Sequence, residues 1–166
     1  MRIIIFFFIL LFSAAHADDI PLNTIREQYK SAATNEGACK NMISISEKYS
    51  VAENSTLVAY NACATMMMAN YVYNPFSKLS YFNEGKKLLE QCITVDSANI
   101  EIRYLRFTIQ TKAPSFLGYN SSIEKDKLFL RREISNVKDL QLKQMIISFL
   151  KSSEHLTLIE KQNLKS

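Results

Sequence analysis

Glycine is scarce in this chain of 166 residues, with only Gly37, Gly85 and Gly118 present. A phosphate-cradling loop or a dinucleotide fingerprint needs several glycines within a few positions, so neither can be written on this sequence. Histidine is scarcer still. His16 and His155 are the only two, which leaves no imidazole cluster for a zinc site and no second histidine for a proton relay. His155, set among Ser152, Ser153, Glu154 and Thr157, reads as a surface residue. No G-x-S-x-G elbow occurs. No five like charges stand together, and the net charge of +4 comes from Lys and Arg interleaved with Asp and Glu. That is the texture of a solvated surface rather than a nucleic-acid footprint. The 16 acids could form many carboxylate pairs in space, and spacing selects none of them. Neither a cofactor nor a metal is expected.

What the chain does have begins at its N-terminus. Met1-Arg2, the apolar run Ile3 to Phe12 and the small residues Ser13 to Ala17 spell a secretory signal peptide cut before Asp18. Ten apolar residues rise only about 15 Å as a helix, half of a bilayer core, so removal is expected rather than anchoring. The expectation is an extracytoplasmic protein, periplasmic or secreted, with residues 1–17 removed and residues 18–166 forming one domain without stable membrane insertion. Such a length is enough to bury a real core.

Apolar residues recur at spacings of three and four throughout, and no useful stretch alternates with a period of two, so the chain reads as all-α. Helices are expected from Pro21 to about Thr34, from about Ala38 to Tyr49 after a break at Gly37, and from Ser55 to Tyr73. The last of these has no charge and is apolar on every side, as a central buried helix is. Asn61, Thr65 and Asn70 argue against a membrane span there. The three methionines Met66, Met67 and Met68 read as adaptable core filler, because thioethers on adjacent residues splay by 100° and cannot converge on a soft metal.

Asn74-Pro75 supplies an N-cap and a first helical residue for a fourth helix to about Val95, expected to be largely enclosed. Gly85 inside it falls level with Cys63 of the preceding antiparallel helix, which suggests a close approach of the two backbones. A fifth helix, Ile100 to Thr111, carries two nearly opposite apolar stripes: Ile102, Leu105 and Ile109, and Ile100, Tyr104 and Phe107. It is expected to lie sandwiched between two layers. Pro114 ends it, residues 114–120 form a loop, and three more helices follow to about Ile134, from Asp139 to Lys151, and after a Thr157–Glu160 capping box. Hairpins of this kind stack into a short solenoid or bundle.

Cys39, Cys63 and Cys92 are an odd number for an oxidising compartment. Reflecting positions across the turns leaves Cys39 with Cys63 as the one pair near enough to bridge, but three buried thiols packed as small hydrophobes is the preferred reading.

The spacing Gly85-x3-Leu89-x2-Cys92-x4-Ser97 resembles the second helix of a tetratricopeptide repeat. Leu89 stands in place of the aromatic and Ser97 in place of the proline, and no second copy follows at a 34-residue period. The stretches Asn74 to Leu79, Asn99 to Phe107 and Pro114 to Tyr119 resemble a group of small exported proteins of Gram-negative bacteria. That resemblance spans about Tyr60 to Asp126 and implies a helical-repeat fold and a periplasmic address, without an activity.

Two functional readings follow. The first is a non-catalytic interaction module for a peptide or protein partner, with Arg103, Arg106 and Gln110 as candidate ligand-binding residues. They lie on one stripe of the fifth helix, where two guanidinium groups can clamp a carboxylate. Against this stands the alternative that Glu84, Glu90, Glu101, Glu124 or Asp126 pairs with the arginines and locks the helices in register. The second reading is a small extracytoplasmic hydrolase built around the 114–120 loop, for which no nucleophile, base and orienter stand at recognisable spacing. The side of the seventh helix bearing Lys138, Lys143 and Lys151 reads as solvated surface rather than as a membrane-facing one.

Overall fold

A computed structural model describes residues 22–164. The expected signal peptide lies outside the described residues. Among them are eight α-helices: α1 Leu22–Ala32, α2 Glu36–Ser46, α3 Val51–Met67, α4 Pro75–Val95, α5 Ile100–Lys112, α6 Ile123–Glu133, α7 Leu140–Ser152 and α8 Leu158–Gln162. No strand occurs among the described residues.

Local chemistry sets most boundaries. The Asn74 side chain accepts from the amides of Phe76 and Ser77, with Pro75 as the first helical residue. Asp139 caps α7 through Leu142 N, and Thr157 and Glu160 close a capping box on α8. Several boundaries differ from expectation: α2 ends at Ser46 rather than at Tyr49, and α3 starts at Val51 from a Ser50–Glu53 capping box. The chain turns at Thr34-Asn35 rather than at Gly37, because Asn35 caps α2 by accepting from Ala38 N, and Gly37 sits inside its first turn. The third helix leaves α geometry at Met67 and finishes as a 3-10 turn over Met68–Asn70 instead of running to Tyr73. At its start, Asn54 adopts non-helical angles (φ −155°, ψ 83°) and its side chain accepts from Leu57 N, so the core helix effectively begins at Ser55.

α3 packs against α1, α2, α4 and α5, while α5 packs against α3, α4, α6 and α7. These two are the axes of the fold. From Leu57 to Met66 only Asn61 of α3 escapes full burial, and every residue from Glu101 to Gln110 of α5 is buried, as the two opposed apolar stripes require. Gly85 meets α3 closely. A Cβ at that position would stand 2.4 Å from the Ala62 carbonyl oxygen and 2.9 Å from Met66 N, straddling the level of Cys63. α4 is less enclosed than its apolar arc suggests. Phe82, Gly85, Leu89, Cys92 and Ile93 are buried, but Phe76 and Leu79 in its first turns are exposed among the described residues.

Candidate functional site

The candidate residues Arg103 and Arg106 project from α5 toward α6 and α4, and both are buried, at 7% and 4% exposure. Arg103 donates from Nη1 to Asp126 Oδ1 at 2.8 Å and from Nε to the Ser97 carbonyl at 2.9 Å. Arg106 grips the same carboxylate with two bonds, Nε to Oδ2 at 2.7 Å and Nη2 to Oδ1 at 2.8 Å. Its Nη1 reaches Glu90 Oε2 at 2.8 Å. Asp126 is fully buried between the two guanidinium groups. Burial works against the charge of Arg106, but Asp126 and Glu90 outweigh it and hold its pKa above the ordinary value. Gln110 is buried beside them, with a side-chain oxygen that has no partner among the described residues. The geometry is that of the locking alternative: the carboxylates that occupy these arginines are internal and come from α4 and α6.

A second charged cluster lies on another side of α5. Arg26 of α1 forms a bidentate pair with Glu101, Nε to Oε1 at 2.7 Å and Nη2 to Oε2 at 2.8 Å, and reaches Asp139 Oδ2 at 2.7 Å. Tyr60 of α3 donates to Glu101 Oε1 at 2.6 Å. The hydrogen bonds that Arg26 donates to Glu101 raise its pKa despite burial, and Asp139 adds to them. Four helices are thus tied to one carboxylate or its partner. This cluster carried no sequence signal, since Arg26 reads as one more surface cation on an amphipathic first helix.

The open chemistry of the molecule lies in a groove of about 1270 Å³, larger than the roughly 300–1,000 Å³ of an ordinary small-molecule pocket. Its floor is apolar and comes from Met66, Phe82, Tyr104, Ile109, Met145 and Phe149, on α3, α4, α5 and α7. α1 contributes Tyr29 and Lys30, and the turn after it Ala33. Leu79 and the segment 113–117 form the opposite lip, where Phe116 is 83% exposed. Lys30, Lys78 and Lys112 line it, and no carboxylate does among the described residues. Lys30 is held by Glu27 at 2.7 Å, while Lys78 and Lys112 carry no ion pair among the described residues. The groove gathers five helices from across the chain, so no contiguous motif announces it. The one trace in the sequence is the uncharged stripe Gln141, Gln144, Ser148 and Ser152 on α7, at helical spacing on one wall.

The 114–120 loop divides its aromatic residues. Tyr119 turns inward, stacks edge-on to Phe82 with centroids 6.0 Å apart, and donates to Glu90 Oε1 at 2.6 Å. Burial and the Glu90 carboxylate push its pKa up, so the hydroxyl serves as a hydrogen-bond donor and not as a phenolate. Phe116 turns outward to the groove. Gly118 takes the left-handed conformation (φ 59°) that lets the chain reverse between the two. His155 is exposed. No cluster of three or more His, Cys, Asp or Glu suited to a metal occurs among the described residues. The three cysteines are buried free thiols, and Cys39 donates to the Ala32 carbonyl. No helix among the described residues is long and apolar enough to cross a membrane. No protein-family model, curated protein or solved structure matches this chain.

Proposed function

We propose that this is an exported, non-catalytic binding protein that holds a segment of a peptide or protein partner in the groove between α1, α4 and α7. The architecture under this reading is a short tetratricopeptide-like stack of antiparallel hairpins, of the kind found in small exported Gram-negative proteins. Support for the stack comes from consecutive helices lying side by side, α1 on α2, α2 on α3, α3 on α4 and α5 on α6. The observation that carries the binding reading is the groove itself. It is a large apolar-lined cleft whose floor side chains are themselves mostly buried, with Leu79 and Phe116 exposed at its lip, in a protein that neutralises its buried arginines internally, and a cleft edged by exposed apolar side chains is a common mark of a binding site. Arg103 and Arg106 act in this scheme as positioning residues that hold α4, α5 and α6 in register beneath the groove.

A random peptide library displayed on phage tests the reading. Selection on the wild-type protein is expected to converge on a motif, and Ser148→Trp, a change at an exposed wall residue, is expected to weaken the selected peptides at least tenfold, about 1.4 kcal/mol, without lowering the melting temperature. Failure to converge, or binding indifferent to Ser148→Trp, counts against the groove. Export is tested separately by sequencing the N-terminus of the chain recovered from outside the cytoplasm, where a start at Asp18 is expected.

A further inference from the structure

The geometry points to an acidic peptide with apolar anchors as the occupant of the groove, an inference that rests on the binding reading above and adds the chemistry of the ligand. Charge is the first reason. Lys30, Lys78 and Lys112 come from three different helices and converge on one groove that no carboxylate lines among the described residues. Elsewhere in the described chain, cations near the interior are answered by acids: Arg26 by Glu101 and Asp139, Arg103 by Asp126, and Arg106 by Asp126 and Glu90. Lys30 shares its charge with Glu27, so the positive charge without an acid among the described residues is centred on Lys78 and Lys112, both exposed. Such a rim draws in an anionic segment and disfavours a cationic one.

Backbone chemistry is the second reason, and it separates a peptide from an anionic lipid. A peptide laid in an apolar groove must satisfy its N–H and C=O groups, whereas an acyl chain has none to satisfy. Gln144 and Ser148 stand exposed on the α7 wall, in line with Gln141 and Ser152. Gln141 is already engaged with Arg26 and Glu27, and Ser152 with the Phe149 carbonyl. On the α7 wall, Gln144 and Ser148 are therefore the donors and acceptors left for a peptide main chain. An acyl chain placed against them would strip both of water without return.

The experiment uses two fluorescein-labelled dodecapeptides with leucine at the same four positions, carrying glutamate in one and lysine in the other at the remaining sites. Fluorescence anisotropy is read against wild type, Lys78→Glu/Lys112→Glu and the neutral Lys78→Gln/Lys112→Gln. The expected result is binding of the glutamate peptide that weakens as salt rises to about 0.15 M, where the screening length falls to about 8 Å. A loss of about tenfold is expected in the neutral variant, and the charge-reversed variant is expected to prefer the lysine peptide. Equal binding of both peptides, insensitive to salt and to the lysines, overturns the acidic specificity while leaving the groove reading intact. Palmitate binding in place of either peptide overturns the peptide in favour of a long-chain carboxylate. Binding of neither peptide also overturns this inference, and the library selection, which presumes no charge, then decides the groove reading independently.

Discussion

Arg26 and Glu101 stand 75 positions apart in sequence and meet in a buried bidentate pair, with N···O distances of 2.7 and 2.8 Å. Tyr60 and Asp139 complete the arrangement, so α1, α3, α5 and the cap of α7 are joined at one point.

Glu101→Gln leaves the Arg26 guanidinium buried with only the more exposed Asp139 as a charged partner. Removing one partner of a buried pair costs about 3–5 kcal/mol, whereas replacing both by apolar groups of similar size costs much less. Urea unfolding of Glu101→Gln and of Arg26→Met/Glu101→Leu measures both. A single variant as stable as wild type would remove this cluster from the account of the fold.

Asp126→Asn takes the carboxylate from between Arg103 and Arg106. A loss of about 3–5 kcal/mol is expected, since Arg106 is then left buried against Glu90 alone and Arg103 against the Ser97 carbonyl with no carboxylate. Charge reversal at either arginine should destabilise the fold as well. If Arg103→Glu/Arg106→Glu instead melts at the wild-type temperature, these residues are not a structural lock.

Gly85→Ala should destabilise even though alanine is the better helix former by about 1 kcal/mol. The new methyl would meet backbone atoms of Ala62 and Met66 at distances of 2.4 and 2.9 Å, so α4 must move away from α3. Overpacking of this kind typically costs about 1–3 kcal/mol. Thermal unfolding decides the sign.

Asp139 has its pKa lowered, first by the backbone hydrogen bond from Leu142 and then by Arg26. A depressed carboxylate contributes stability that is present above its unfolded pKa, about 3.9, and lost as pH falls through its lower folded value. Asn also caps helices, so Asp139→Asn keeps the cap and removes the charge facing Arg26. Melting temperature against pH should fall less steeply for this variant below about pH 3.9. Parallel curves would show that Asp139 contributes nothing to the acid limb.

Burial pushes the thiols of Cys39 and Cys92 up to about 11, and that of Cys63 higher still. Thiolate is the reactive form, so the folded protein should be inert to Ellman's reagent at neutral pH and release three equivalents once unfolded in urea. Fast labelling of the native protein would contradict the burial of the cysteines. So would recovery of fewer than three thiols from oxidised preparations.

The all-helical class, most helix starts and the central place of α3 were legible in the sequence because each depends on local pattern, and the tight approach at Gly85 because one short turn fixes the level of α4 against α3. Asn74, Asp139 and Thr157 cap helices through amides two or three residues away, and a helix apolar on every side must be buried wherever it lies. Which acid meets which arginine was not legible. Asp126, Glu90, Glu101 and the other acids near α5 are equivalent in sequence, and only the way α4 and α6 cross α5 brings Asp126 and Glu90 to Arg103 and Arg106, while α1 carries Arg26 to Glu101. The groove belongs to tertiary structure for the same reason. A cavity is the space that packed helices fail to fill, and apart from the polar stripe of α7 the residues that line this one share no local pattern.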